Sequence, residues 1–453
     1  MNQTQPFTMI DLFAGCGGLS LGLEQAGFQS HFVNELNTDA MASYLKNRNH
    51  ILGGMEFNKN KDLREYDIEN LLKETRFTKL KEDLRNIGLV VGEKIDQNSL
   101  DLVCGGPPCQ GYSGIGHRRS YSVDRQEIPS NELYKQMSRF IHKTRPKIFL
   151  FENVRGLMTA KWSDLGSKGD IWRDVKQNYR SLGTRCGYTV KFDLVYAKDY
   201  GVPQNRPRIL MVGIRNDVIR DCDSSLLDPN AHTESAIACS FLPAGNAFPY
   251  PNIQDVLGDL VDPAIAEILE SGDYPKGVFS SQVYHSDPEG PVQEYYRLGR
   301  GGECSKIGDK VTDQQYSKHS RQIVKKFRHM IDHGCIPDEF KTKKFSQKVL
   351  PPQWDLKGPT ITTTSLPDDY VHYQQPRSLT VREWARLQTF PDWYQFCGKR
   401  TTGGLRRAGN PQEEEYQREA PKYTQIGNAV PVRLAKLVGH HFRKILESYR
   451  SVK

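Results

Sequence analysis

The 453-residue chain predicts an α/β fold joined to a smaller, irregular second region. Three observations carry that expectation. Through the first half, short apolar runs alternate with helical or loop stretches, as a parallel sheet with crossover helices requires. The first run, residues 8–13 (TMIDLF), is stopped by Ala14-Gly15-Cys16-Gly17-Gly18, after which Leu19, Leu23 and Ala26 follow at helical spacing. After Arg215 the texture changes, and residues 222–300 are rich in Pro, Gly, Asp and Ser with only short apolar pieces.

Further strands are expected at 32–34, 100–104, 148–151, 190–196 and 209–214. In the second region, Ile323, Phe327, Met330 and Ile331 mark one amphipathic helix, and 359–365 (PTITTTS) is a β-branched run. Thr380-Val381-Arg382-Glu383 is a capping-box signature that opens a helix to Gln388. Pro391 bars its extension. Residues 398–420 read as a polar insert. Leu434, Leu437, Val438, Phe442, Ile445 and Leu446 mark a last helix, placed to return to the first domain.

Composition narrows the function. With 62 basic and 54 acidic residues the net charge is +8, and 37% of residues are apolar, which excludes a wholly disordered chain. No apolar run approaches the ~20 residues needed to span a bilayer. The opening MNQTQPFTMI has neither a basic n-region nor an apolar h-region, so no secretory signal is expected. Nine scattered cysteines without a C-x-x-C pair argue against a disulfide framework or a structural zinc site, and for reduced thiols in a cytoplasm. No metal is expected. Between Arg297 and Lys348, 13 Lys and Arg face 6 Asp and Glu, nearly the whole positive excess. Such a block is commonly a solvated face, but it also suits a polyanion.

Three constellations carry chemistry. The strand, Gly15-x-Gly17-Gly18, helix order lets a nucleotide approach the backbone, and Glu35, 20 residues after Gly15, is placed for ribose hydroxyls. The pattern is neither G-x-G-x-x-G nor a P-loop; it suits an adenosine ligand without a pyrophosphate, such as S-adenosylmethionine, and equally a tight turn with no ligand. The second is Gly105-Gly106-Pro107-Pro108-Cys109-Gln110-Gly111, where two prolines fix φ just before a thiol at a strand's C-terminal end. The polar, basic stretch 113–131 after it has the makings of a lid. The third joins Glu152, which ends the run 148–151, to Arg206 and Arg208, which precede another strand. Taken singly, each of these charged residues has an ordinary surface reading.

Taken together, the chain resembles the DNA (cytosine-5)-methyltransferase family of bacterial restriction–modification systems. The resemblance runs in order through DLFAGCGG (11–18), GGPPCQG (105–111), ENVRG (152–156), QNRPR (204–208), RSLTVREWARLQTFPD (377–392) and QIGNAVP (425–431). It implies a Rossmann-like S-adenosylmethionine-dependent domain with a target-recognition domain, and methylation of C5 of a flipped cytosine in duplex DNA. Cys109 would attack C6, Glu152 would engage N3, Arg208 would hold O2, and Arg206 would help order the catalytic loop. Phe13, Gly15, Gly17, Glu35, Leu133 and Asn428 would hold S-adenosylmethionine. An acidic contact to its adenine would come from Asp62, with Asp83 as the other candidate. The implied layout is 1–219 for catalysis and cofactor, 220–376 for target recognition, 377–420 as a hinge returning to the catalytic domain, and 421–453 as the completing helix. Double-stranded DNA is the implied partner, with a restriction endonuclease acting on the same site, for a monomer in the cytoplasm. Two other functions share the pattern: a tRNA cytosine-5 methyltransferase, which typically lacks so large a basic segment, and a non-catalytic DNA-binding regulator, which has no need of Cys109, Glu152 and Arg208.

Overall fold

The computed structural model describes residues 6–48, 51–52, 55–56, 67–92, 100–108, 132–163, 165–229, 232–245, 251–341, 347–353, 360, 369–401 and 419–452. Six strands form one sheet: β1 (Phe7–Leu12), β2 (Phe28–Asn34), β3 (Leu102–Gly105), β4 (Ile148–Val154), β5 (Tyr188–Tyr196) and β6 (Pro207–Arg215), in the spatial order β2-β1-β3-β4-β6-β5. Each coincides with a run expected from the sequence.

The sheet is parallel across β2, β1, β3 and β4 only. β6 runs antiparallel to both β4 and β5, which corrects the expectation of a parallel sheet throughout. The reason is the connection. Between β5 and β6 lie only residues 197–206, with one 3₁₀ turn, Ala197–Asp199, and no crossover helix. A link of that length closes an antiparallel pair far more readily than a parallel one.

Strand side chains alternate between two cores, as a period of two requires. Met9, Leu150, Val212 and Ile214 point to one face, where Leu19 and Leu23 of the helix Gly18–Gln25 meet Leu434, Val438 and Phe442 of the helix Val432–Ser451. The last helix therefore does return to the sheet. Ile10, Val103, Phe149, Phe151 and Met211 point to the other face, covered by the helices Glu74–Asn86, Leu133–Thr144 and Asp170–Cys186. Leu227, Ala236, Cys239, Phe241 and Leu242, which the sequence reading places in the second region, pack into the first of these cores.

A third core joins the rest. Ile253, Val256, Tyr284 and Tyr296 pack with Val381, Trp384 and Leu387 of the helix Val381–Leu387, and with Cys16 and Leu21 beside the glycine turn. The expected capping box opens that helix: the Thr380 hydroxyl accepts from the Glu383 N–H at 3.1 Å, and the Glu383 carboxylate accepts from the Thr380 N–H at 2.8 Å. The expected amphipathic helix is Arg321–His333, with Phe327 and Met330 buried. Apart from Thr360, the β-branched run at 359–365 lies outside the described residues, as do 402–418 of the polar insert.

Candidate active site

The register of the sheet builds one edge. Leu12 pairs with Gly105, and Gly105 with Phe151, so the glycine turn and the proline loop follow aligned strand ends, and Glu152 lies beside them among the last residues of β4, which continues to Val154. Because β6 runs the other way, its beginning lies at that same edge, with Arg208 opposite Val154. Arg208 Nε stands 2.5 Å from Glu152 Oε1, and both side chains are buried. Gly106 makes room for the carboxylate: a Cβ there would lie 2.6 Å from Glu152 Oε2. Asn153 donates from Nδ2 to the Pro107 carbonyl at 3.1 Å, tying the proline loop to the end of β4 two residues before Cys109. Cys109, and the stretch expected to form a lid, lie outside the described residues.

Arg206 is buried behind Arg208 and donates to the Gly427 carbonyl. Burial and the neighbouring Arg208 cation both work against its charge, and Glu152 offsets them in part. The edge thus holds one carboxylate in contact with the Arg208 guanidinium, with the Arg206 guanidinium close enough to feel both charges.

The glycine turn has two sides. Gly15 (φ +56°) faces open space, and its N–H donates to Glu35 Oε2 at 2.8 Å. Asn37 N–H donates to Glu35 Oε1 at 2.7 Å, so Glu35 braces the turn from the end of β2. Burial raises the Glu35 carboxyl, against these backbone donors. Leu36 N–H is a third backbone donor to this carboxylate, and its roughly four acceptor positions leave room for one more, as a ribose hydroxyl would supply. Gly17 (φ +85°) is packed from behind instead: a Cβ would lie 2.7 Å from the Tyr44 ring and 2.9 Å from Arg48. Arg48 donates to the Gly17 carbonyl at 3.3 Å, to the Tyr394 hydroxyl at 3.1 Å and to Glu24 at 2.9 Å, and lies over Tyr44. Tyr394 donates to the Cys16 carbonyl. Sequence reasoning missed Arg48, Tyr44 and Tyr394, because only the folded chain brings residues 17, 48 and 394 together.

Phe13, at φ +57°, is half-buried and packs on the same core as Leu133, the first residue of its helix. Asn428 ends the helix Lys422–Asn428 and is exposed. It sits between Gly427, which accepts from Arg206, and Ala429-Val430, which press on Gly18. Asp62 lies outside the described residues. Asp83 is on the helix Glu74–Asn86, ion-paired with Lys79 at 2.9 Å. Cys16 and Cys104 are buried, and burial pushes the Cys16 thiol up to about 12 and Cys104 upward as well, which keeps both protonated and unreactive. Among the described residues, no group of three or more His, Cys, Asp and Glu could hold a metal ion, and no helix is long and apolar enough to cross a membrane.

The second region sorts the basic block. Arg297 is buried and pairs with Asp259 at 2.7 Å, inside the protein rather than at its surface. Lys306, Lys310, Lys318, Arg321 and Lys325 are exposed.

A family described as C-5 cytosine-specific DNA methylase matches residues 7–444. Among curated proteins, the chain is 28% identical to the Type II methyltransferase M.DdeI of Desulfomicrobium norvegicum, over 97% of this chain and 89% of that protein. It is 29% identical to the Type II methyltransferase M.BsuRI of Bacillus subtilis, over 96% and 79%. A crystal structure of a DNA modification methyltransferase encoded within an E. coli prophage superposes with a TM-score of 0.60 at 20% identity, over 97% of this chain and 99% of that one, a likeness of fold. The fold is thus the Rossmann-like one of C5-methyltransferases. The chain belongs to the C-5 cytosine-specific DNA methylase family, a family of methyltransferase enzymes.

Proposed function

We propose that the protein methylates C5 of a cytosine flipped out of a specific duplex DNA sequence, and protects DNA within a restriction–modification system. The observation that carries this reading is the Glu152–Arg208 pair at the strand edge, bound through Asn153 to the backbone that leads into Cys109. The Cys109 thiolate adds to C6, and the electrons pushed into the ring make C5 a nucleophile. Glu152 hydrogen-bonds or protonates N3, which stabilises that charge, while Arg208 holds O2 and Arg206 orders the catalytic loop. C5 takes a methyl group, its proton goes to a base, and the electrons of that C–H bond re-form the C5=C6 double bond as the Cys109 sulfur leaves C6. A stacked base hides C6, so the cytosine must be extruded.

When bound, S-adenosylmethionine supplies an electrophilic methyl group. The open face of Gly15 and the remaining acceptor position of Glu35 fit such a ligand. Phe13, Gly17, Leu133, Asn428 and Asp62 complete the proposed holding set, Gly17 by shaping the turn. The exposed lysines of 297–348 are assigned to phosphates and the rest of 220–376 to base reading, so binding weakens steeply with salt. The protein acts as a cytoplasmic monomer, with an endonuclease reading the same site.

The test is transfer of labelled methyl from S-adenosylmethionine into unmethylated duplex DNA, with tRNA in parallel. Label in DNA, none in tRNA, and none with Cys109→Ser is the expected result. Label in tRNA alone, or label in DNA that survives Cys109→Ser, overturns it. Duplex carrying 5-fluorocytosine at target sites should trap a covalent adduct, because fluorine cannot leave as a proton does.

A further inference from the structure

We propose that Gln204 and Gln388 form a buried amide relay that positions Asn428 and its neighbours at the methyl-donor pocket relative to the Glu152–Arg208 edge; this rests on the function proposed above. Both side chains are fully buried. Gln204 Nε2 donates to the Leu387 carbonyl at 2.7 Å and to Gln388 Oε1 at 2.8 Å. Gln388 Nε2 donates in turn to the Ile426 carbonyl at 2.8 Å and the Ala429 carbonyl at 3.1 Å, the two residues that bracket Gly427-Asn428. The Gln388 carbonyl accepts from Val432 N–H at 3.1 Å, at the start of the last helix.

The geometry gives the pair a direction. Gln204 is two residues from Arg206 and four from Arg208, and Arg206 itself donates to the Gly427 carbonyl. Residues 426–429 are thus gripped twice from the 204–208 segment, once directly and once through Gln388. Gln388 follows the capped helix Val381–Leu387, which carries the buried ion pairs of the second region, so three segments remote in sequence meet at one amide. Only an uncharged amide serves there. Each Nε2 uses both hydrogens on carbonyl oxygens, while the Gln388 oxygen accepts; a carboxylate would set charge against carbonyls, and an alkyl chain would leave them without donors. Gln204 and Gln388 touch neither base nor cofactor in this assignment and are positioning residues.

The test uses the full chain with Gln388→Met, Gln204→Met and the double variant, on unmethylated plasmid DNA of mixed sequence. For Gln388→Met, KM for S-adenosylmethionine should rise about tenfold, the size of one or two lost buried hydrogen bonds, while KM for DNA stays within about twofold. Gln204→Met should shift the same constant in the same direction by less, and the double variant should be no worse than Gln388→Met, since both act through one chain of bonds. Thermal midpoints are measured alongside. Folded variants with a lowered midpoint but unchanged KM for S-adenosylmethionine overturn the relay, as do effects that multiply in the double variant. Should Gln388→Met not fold, Gln204→Met decides by the same criterion. Wild-type protein that transfers no methyl overturns the proposed function instead. The relay is then decided by S-adenosylhomocysteine binding in calorimetry, weakened about tenfold in Gln388→Met if it holds and unchanged if it does not; a wild type that binds none overturns both.

Discussion

At the junction built around residues 377–392, arginines and carboxylates close on one another. Arg377 reaches both oxygens of Glu383 at 2.8 and 2.7 Å, and Arg386 bridges Asp259 and Asp392 at 2.5 Å each. Arg297 adds a bond to Asp259 at 2.7 Å, and the Tyr284 hydroxyl one to Asp392 at 2.7 Å. Under the glycine turn, buried charge is treated differently. Asp11 accepts from Ser20 and from the Cys104 thiol, which are neutral, and burial pushes its carboxyl up to about 7. At the junction, burial also raises Glu383, but the Arg377 guanidinium overrides it and holds that carboxyl down to about 2. Pairing, rather than burial, decides which way a carboxylate moves. The lesson for function is that Arg377, Arg382 and Arg386 are fully buried parts of the scaffold and do not belong to a charged surface.

The sharpest way to break this contrast is Arg386→Met, which strands Asp259 and Asp392 in the interior. Denaturant unfolding should show a loss of about 3–5 kcal/mol; a loss below about 1 kcal/mol would mean that the junction is not closed. Glu152→Gln is the counterpart at the strand edge. Methyl transfer should fall about 10²–10³-fold, and unfolding free energy should fall by about 1–3 kcal/mol, because the amide leaves the buried Arg208 without its counter-charge.

The pH dependence separates the two regions further. Glu383 is held below its ordinary 4.5, so its contribution is complete above that pH and is lost as pH falls toward 2. Asp11 is raised above its ordinary 3.8, so its burial costs stability above about pH 7 and the cost is relieved as pH falls toward 4. Asp11→Asn should therefore stabilise the protein at pH 8 and flatten its stability between pH 7 and 4, without touching the loss below 4.5. Chemical denaturation across pH 2–8 reads both limbs. The smallest effect is expected from Thr380→Ala, which removes the cap of the helix Val381–Leu387 and costs about 1–2 kcal/mol in the same assay.

Much of this was legible in the residues. Apolar runs located all six strands; β1, β3, β4 and β6 are buried on both faces and read as near-continuous apolar stretches, while β2 and β5, at the two ends of the sheet, showed only partial runs. Thr380 and Glu383 announced a helix start that the structure reproduces bond for bond. The apolar run placed Glu152 at a strand end; the strand in fact runs two residues further, to Val154, because Asn153 and Val154 continue the antiparallel pairing with β6. The partners that shape the turn, Arg48 and Tyr394, left no local signal, and neither did Gln388 as the partner of Gln204. Their pairing depends on contacts between residues far apart in the chain, 184 positions for Gln204–Gln388 and 346 for Arg48–Tyr394.

By itself, the sequence determined the six strands, the helices after the glycine turn, at 321–333, after Thr380 and at the C-terminal end, the order of the six motifs and the residue types able to do the chemistry. Local pattern sets these. The direction of β6 was decided only by the tertiary structure. In the parallel sheet that the alternation suggested, the start of β6 would lie at the opposite edge from the end of β4, and Arg208 could not meet Glu152. The short 197–206 connection turns the chain back, and only then do the carboxylate and the two arginines share one edge.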